Sequence, residues 1–505
     1  MRIGIVAYQI KKVEQGILIT RACSNIENYL QTTNWDEAVS FLTEDKGKAL
    51  HICWSLKDFT NSLFSLLPEE KRMELGEKAR VFVGDTKLFN VNYLLGITTT
   101  KHIKGNFYQR LENNLYQLKH WMPDGTPEPS SIAVVTNYGE NILKALEQMK
   151  VYPDKLTSPV ATFLVDLSKN NLPTIYSFNE DWLDAQNYAG KMMRCEWRSA
   201  FKLGYWNKTW CYDLVSAYPS IMANLPNTDY CSARYSKVYL KSDWGIVKGR
   251  VEITTPVSPL VFDTGDGYIC PVGVWKGYFT TEEIDWLERW QAGRFILEDG
   301  WFFHWKGSKP YHQVISRLLA LRQTGDPMVV SLAKKMALGM SGKLDEDHKD
   351  GNLGELYNPI LAAITRSRCR LAVADFIYTN NIMDNLIAVM VDGILVDKEV
   401  PITESGYPGT WRLESQSPAL VLGKGEVWRP SKKPLGISFV EIVGAIKKEP
   451  DRSCYEFNGG KRIIDLLLGA TDLDRDFPEC PKTGRELISG IYSSNPLKLS
   501  SFAKD

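Results

Sequence analysis

Tyr212-Asp213-Leu214-Val215-Ser216-Ala217-Tyr218-Pro219-Ser220 is the stretch on which the reading of this chain turns. The apolar run ending in Trp210-Cys211-Tyr212 reads as a strand, and it delivers an acidic residue. Ser216 and Tyr218 follow, then a proline of the kind that starts a helix. Taken alone, the segment is equally a strand-end aspartate ahead of an ordinary helix N-terminus.

A second segment decides between these readings. Ala388-Val389-Met390-Val391-Asp392-Gly393-Ile394-Leu395-Val396 sets Asp-Gly between two apolar runs, a strong hairpin signal. One reading is a plain type I′ turn at Asp392-Gly393. The other is a carboxylate held rigidly at a hairpin tip. Two such carboxylates, brought together from distant strands, could hold two Mg²⁺ ions for an in-line phosphoryl transfer. Between them lies Lys334-Lys335-Met336-Ala337-Leu338-Gly339-Met340-Ser341-Gly342-Lys343. Here a helix presenting Lys334, with Arg322 on a preceding helix, could clamp a triphosphate. A solvated basic helix face is the plainer alternative.

In this order the three segments resemble the motifs of the family B DNA polymerases. Those carry Asp-x-x-Ser-x-Tyr-Pro-Ser in the palm, Lys-x-x-x-Asn-Ser-x-Tyr-Gly in the fingers and Tyr-x-Asp-Thr-Asp-Ser at a catalytic hairpin. The first matches closely at 213–220. The resemblance implies that Asp213 and Asp392 are the catalytic metal ligands, with the backbone carbonyl of Leu214 a third. It implies two Mg²⁺ ions, with Mn²⁺ able to substitute. Tyr218 would be the steric gate that excludes a ribose 2′-hydroxyl. Ser216, Arg322 and Lys334 would lie against the incoming triphosphate. The fingers motif departs at Leu338, Gly339 and Ser341, which stand for Asn, Ser and Tyr, and Met390 stands where the hairpin's first aspartate would be.

Fainter similarities fall in the same order. Tyr188, Gly190 and Arg194, with Glu196 nearby, resemble the linker between exonuclease and polymerase domains. Pro271-Val272-Gly273-Val274-Trp275-Lys276-Gly277 resembles the palm segment ahead of the fingers. Ile364-Thr365, with Arg366, Arg368 and Arg370, resembles the helix before the catalytic hairpin. Glu426-Val427-Trp428, with Lys424 beside it, replaces the thumb's Lys-x-Tyr. Tyr188, Gly190, Arg194, Lys343, Arg366, Arg368, Arg370 and Lys424 are therefore expected at DNA.

The implied fold is α+β and multidomain, a right-hand polymerase of palm, fingers and thumb behind an N-terminal RNase H-like exonuclease-type domain. The expected division is an exonuclease-like domain over 1–180, palm over 181–305, fingers over 306–343, palm again over 344–403, and thumb with the C-terminal region over 404–505. The pattern supports helices over 311–323 and 329–344 broken at Gly325-Asp326-Pro327, and a long helix over 358–380. RIGIVAYQI, LHICW, RVFVG and SSIAVV read as short strands, and NILKALEQM as helical. An active exonuclease would begin with Asp-x-Glu on its first strand. Val6-Ala7-Tyr8-Gln9-Ile10 has no acid, and Tyr138-Gly139-Glu140-Asn141 lacks the Asp expected four residues after its Tyr, so the N-terminal domain is expected to be inactive.

Composition narrows the alternatives. The chain has 505 residues, 44% hydrophobic and 24% charged, an ordinary globular profile that argues against disorder or a coiled coil. Lys+Arg 60 against Asp+Glu 60 excludes a uniformly basic nucleic-acid coat but not a basic cleft. Nine cysteines without a CxxC pair fit neither a zinc site nor a disulfide framework. Asp472-Leu473-Asp474-Arg475-Asp476 lacks the glycine of a Ca²⁺ loop, Gly459-Gly460-Lys461 lacks a P-loop frame, and Gly265-Asp266-Gly267 lacks a third glycine. No signal peptide or spanning segment is evident, so a cytoplasmic protein is expected, in the host cytoplasm if viral.

The expected activity is template-directed addition of dNTPs to a primer 3′-hydroxyl, without 3′→5′ exonuclease. The alternatives are an inactive polymerase-like DNA-binding scaffold, or a primase or terminal transferase. Partners expected from the resemblance are primer-template DNA, dNTPs and a terminal or other priming protein, acting on a monomer. The small size resembles the protein-primed viral and plasmid members. The short interval between Lys334 and Asp392 leaves little room for the extra hairpin those enzymes use in strand displacement.

Overall fold

The computed structural model describes residues 4–23, 26–43, 49–78, 80–83, 86–91, 94–99, 114–152, 159–160, 172, 180–228, 231–265, 267–305, 307, 309–346, 353–354, 356–403, 405–457, 462–465 and 475–499. Asp472–Asp474, Gly459–Lys461 and Asp266, singled out above, lie outside them. The chain forms two compact units, Met1–Asn171 with Ser316–Met340, and Leu172–Ile315 with Ser341–Asp505.

The first unit is built on an eight-stranded sheet: β1 (Gly4–Lys12), β2 (Ile17–Cys23), β3 (Ile26–Thr32), β4 (Ala49–Cys53), β5 (Arg80–Val83), β6 (Thr86–Val91), β7 (Leu94–Thr99) and β8 (Asn114–Gln117). Their order is β3-β2-β1-β4-β8-β7-β6-β5. β1 lies between antiparallel β2 and parallel β4. Its residues Val6, Ala7 and Tyr8 are all buried, the unbroken apolar character of a strand covered on both faces. β3, at the edge, is mostly exposed. SSIAVV is not a strand. It opens the helix Ile132–Gln148, which buries Ile132, Val135, Gly139, Ile142, Ala145 and Leu146 at helical spacing. A four-residue apolar run fits either period, and the residues beyond it carry the helical one.

The expected helical hairpin forms over Pro310–Leu321 and Pro327–Lys343. Gly325 adopts φ 79°, and the Asp326 carboxylate accepts from the Met328 and Val329 amides, so the break is also a cap. Within the first unit, a Cβ at Gly339 would fall 2.2 Å from Val160 Cγ2. Glycine at that position lets Val160 pack against the helix.

The second unit holds two larger sheets. The strands are β9 (Arg198–Ala200), β10 (Lys202–Leu214), β11 (Cys231–Ser236), β12 (Trp244–Ile253), β13 (Phe262–Asp263), β14 (Tyr268–Ile269), β15 (Val272–Thr280), β16 (Gly293–Trp305), β17 (Leu386–Met390), β18 (Gly393–Val396), β19 (Trp411–Gly423) and β20 (Glu426–Trp428). One sheet runs β20-β19-β10-β18-β17-β9, with the short strand Ile491–Ser493 also paired to β10; the other runs β11-β16-β12-β15 and continues to Lys498–Leu499, while β13 and β14 form a separate pair. The helices Thr281–Arg289 and Pro359–Thr379 pack on a core that includes Trp197, Tyr212, Val251, Trp275, Trp286, Phe376 and Ile394. Both start on sequence signals: a Thr280/Glu283 capping box, and Asn358 ahead of Pro359. Among the described residues no helix is long and apolar enough to cross a membrane.

Candidate active site

The two carboxylates meet in the first of these sheets. β10 pairs antiparallel with β18, placing Asp213 opposite Gly393 and Tyr212 opposite Ile394. The Leu214 amide donates to the Asp392 carbonyl at 2.9 Å, so the end of β10 is tied to the hairpin tip. Gly393 allows this approach, since a Cβ there would lie 3.0 Å from the Tyr212 carbonyl oxygen. The turn differs from the expected one. Met390 pairs with Gly393, leaving Val391 and Asp392 as the loop, and the Asp392 amide donates back to the Met390 carbonyl at 3.0 Å. Val391 has φ 71°, a costly conformation for a β-branched residue. Its amide donates to Trp197 O at 2.7 Å, which helps hold it there.

Both acids sit where ionisation is opposed. Burial pushes Asp392 up to about 6, and the neighbouring Asp213 charge adds to the effect. Burial also raises Asp213, against the pull of the Arg412 guanidinium, which donates to Asp213 Oδ2 at 2.8 Å. Arg412 is opposite Asp213 in β19, a partner that only the strand register reveals. Among the described residues no three metal-ligating side chains cluster. Two adjacent carboxylates on a rigid sheet still suit Mg²⁺, which is commonly held by one or two carboxylates together with substrate phosphates and water.

Tyr218 lies on the short helix Ala217–Met222, which follows β10 through Ser216 at φ 51°. It packs with Leu214, Ala217 and Cys369 and is 8% exposed. The Arg366 guanidinium lies over its ring, 4.8 Å from the centroid.

The other residues expected at DNA fall into distinct environments. Arg370 is a correction. It is buried, with its guanidinium donating to Pro259 O, Cys195 O and the equally buried Glu283, so it is a core ion pair and cannot reach DNA. Its Thr365-Arg366 neighbourhood is helical, and position 370 faces inward. Arg368 makes a bidentate pair with Glu282. Arg194 caps the helix Glu180–Gly190 by donating to the carbonyls of Ala189 and Gly190, and pairs with Asp345 at 2.6 Å. Tyr188 donates to the Asp299 carboxylate, with its ring edge-on to Tyr278. Lys343 pairs with Glu346, and Lys424 donates to Tyr268 O at 3.0 Å.

In the first unit, Lys334 and Leu338 are on the exposed face of the helix Pro327–Lys343. Lys335 turns inward and donates to His120 O and Met122 O, which distinguishes it from its neighbour. Arg322 follows the last turn of Pro310–Leu321. At the centre of β1, where an exonuclease would begin its acids, Tyr8 hydrogen-bonds His51 Nδ1 of β4 at 2.9 Å.

This architecture is the fold of the family B DNA polymerases. More particularly, it is similar to solved structures of phi29 DNA polymerase. The orthorhombic crystal form matches with a TM-score of 0.59 at 12% identity, over 98% of this chain and 92% of that one. The ternary complex of the phi29 enzyme with primer-template DNA and incoming nucleotide matches with a TM-score of 0.58 at 14% identity, over 85% and 87%. No protein-family model and no curated sequence matches the chain.

Proposed function

We propose that this protein is a template-directed DNA polymerase that extends a primer 3′-hydroxyl with deoxynucleotides. The observation that carries the reading is the union of Asp213 and Asp392, far apart in sequence, at one end of two hydrogen-bonded strands. Mg²⁺ held by these carboxylates would lower the pKa of the attacking hydroxyl and neutralise the leaving pyrophosphate. The Leu214 carbonyl is the proposed third ligand, and Mn²⁺ the proposed substitute.

The remaining roles belong to the chain itself. Tyr218 presents a ring against which a ribose 2′-hydroxyl clashes. Lys334 and Arg322 of the first unit are proposed as cations for the triphosphate, and Ser216 of the second as a hydroxyl for it. Burial opposes ionisation of both acids, and the Asp213 charge adds to it at Asp392, so a cation that stabilises the charged forms is favoured there. The N-terminal unit is proposed to lack 3′→5′ exonuclease activity, since β1 carries Tyr8 hydrogen-bonded to His51 where that chemistry needs acids.

Primer extension on a defined template with dNTPs and Mg²⁺ tests the reading, run beside lanes lacking template, primer or dNTPs. Extension in the complete reaction alone supports it. Synthesis without primer indicates a primase, and synthesis without template a terminal transferase. Mg²⁺-dependent shortening of the labelled primer without dNTPs would overturn the inactive-exonuclease assignment.

A further inference from the structure

Tyr218 is held in an unusual way. Its hydroxyl is buried beside Cys369 and Arg366, and among the described residues no hydrogen bond of ordinary geometry reaches it, so packing and the Arg366 guanidinium fix the ring. Arg366 projects from the buried helix Pro359–Thr379, its side chain only 16% exposed, and its Nη1 lies 3.6 Å from Glu196 Oε1. The other Glu196 oxygen accepts from Arg198 at 2.8 Å. Glu196 therefore sits between two arginines, one of which covers the tyrosine.

The same acid is close to the catalytic turn. Trp197, next in sequence, accepts the Val391 amide hydrogen bond, and Arg198 pairs with Met390 in the sheet. One short segment, Glu196-Trp197-Arg198, thus touches both the hairpin bearing Asp392 and the guanidinium over Tyr218. A cation over an aromatic face contributes about 0.5–2 kcal/mol when partly desolvated, enough to bias how a ring already held by packing rests.

We infer that Arg366, oriented by Glu196, is a positioning residue for sugar selection: it fixes the Tyr218 ring so that deoxyribonucleotides are accepted and ribonucleotides refused. The inference rests on the polymerase reading and on Tyr218 as the residue facing the sugar. It assigns Arg366 a role through Tyr218 and not through direct contact with DNA phosphates.

The test is single-nucleotide insertion, comparing the efficiency for a dNTP with that for the matching rNTP. Arg366→Met keeps the aliphatic stem and removes the cation. It is expected to lower the dNTP-over-rNTP ratio by about 2- to 30-fold, the range set by a cation–π contact. Arg366→Lys, which keeps a cation, should recover part of that loss. Glu196→Gln should move the ratio in the same direction by less. In a Tyr218→Val background, Arg366→Met should change the ratio no further, because the two residues act as one unit.

An unchanged ratio in both Arg366→Met and Glu196→Gln would overturn the inference, as would an equal loss with and without Tyr218. A uniform rise in KM for all nucleotides, with the ratio kept, would instead make Arg366 a phosphate contact and equally overturn it. Glu196→Gln, at a half-exposed side chain, keeps the test decisive if Arg366→Met fails to fold. Absence of dNTP insertion by the wild-type protein would overturn the polymerase reading itself, and so separates the two failures.

Discussion

Two strands inside two sheets carry opposite electrostatic demands. In the first unit β1 carries Tyr8, a neutral side chain whose buried hydroxyl is satisfied by His51. In the second unit β10 and the β17–β18 hairpin bring together Asp213 and Asp392, two acids whose charges oppose each other. The first arrangement is what a sheet needs to be stable. The second is stable only at a cost, and folds keep such costs where chemistry uses them. The contrast separates a site that retains its electrostatic demand from a place where the demand is met by a hydrogen bond.

The widest gap between the two regions should appear in activity. Asp213→Asn and Asp392→Asn should each lower primer extension by about 1,000-fold or more, as expected when an essential electrostatic element is lost. Tyr8→Phe should leave extension intact. Normal extension by either Asn variant would break the site assignment, and loss of extension in a folded Tyr8→Phe variant would break the contrast.

Within the second unit, Arg370 gives the largest effect on stability. Arg370→Met leaves Glu283 in the core without its cation, and should cost about 3–5 kcal/mol in denaturant unfolding. Glu283→Gln should act in the same direction. If instead Arg370→Met kept its stability but lost DNA affinity, the burial argument would fail.

Arg370 also shows how far the chain could be read. Asp213 and Asp392 were legible because a strand-end acid and an Asp-Gly between apolar runs leave local patterns. The helices over 310–321, 327–343 and 359–379 were legible from their period and from the breaks at Gly325 and Asn358. Arg366, Arg368 and Arg370 looked alike in sequence. Helical geometry sends them to three fates: an aromatic ring, a bidentate Glu282 and a buried Glu283. Arg412 was illegible beside Asp213 because strand pairing across a long separation brings it there, and Glu196, noted in sequence only near the linker residues, was illegible beside Tyr218 because an ion pair with Arg366 puts it there. Val391 in the turn was hidden by Asp392-Gly393, whose preference for a type I′ loop is overridden by the pairing of Gly393 with Met390 and Asp213.

Stability should run in opposite directions in the two regions. In metal-free protein Asp392 titrates near 6 when folded and near the ordinary carboxylate value when unfolded. The folded state therefore holds the extra proton, and stability contributed at low pH is lost as pH rises through that window. Asp392→Asn removes the loss. It should be more stable than wild type at pH 7.5 by roughly 1–3 kcal/mol, with the difference shrinking below pH 5. Added Mg²⁺ should raise the melting temperature of wild type more than that of the variant. A destabilised Asn variant at pH 7.5 would show that the acids are already satisfied.

The smallest effect completes the comparison from the other side. Tyr8→Phe preserves the ring that stacks on His51 at 5.7 Å, and removes only the hydroxyl that meets Nδ1. No apolar volume is lost, so the cavity contribution that dominates most core substitutions is absent. What changes at His51 is the loss of the buried hydrogen bond to Nδ1, a cost of about 1–2 kcal/mol. In urea unfolding this should appear as a lower midpoint with an unchanged slope, because the surface exposed on unfolding is nearly the same. Removing a polar group would then destabilise β1, while removing a charge at Asp392 stabilises its turn. If Tyr8→Phe proved neutral or stabilising, the Tyr8–His51 pair would itself be under strain, and the first unit would hold a demand of its own.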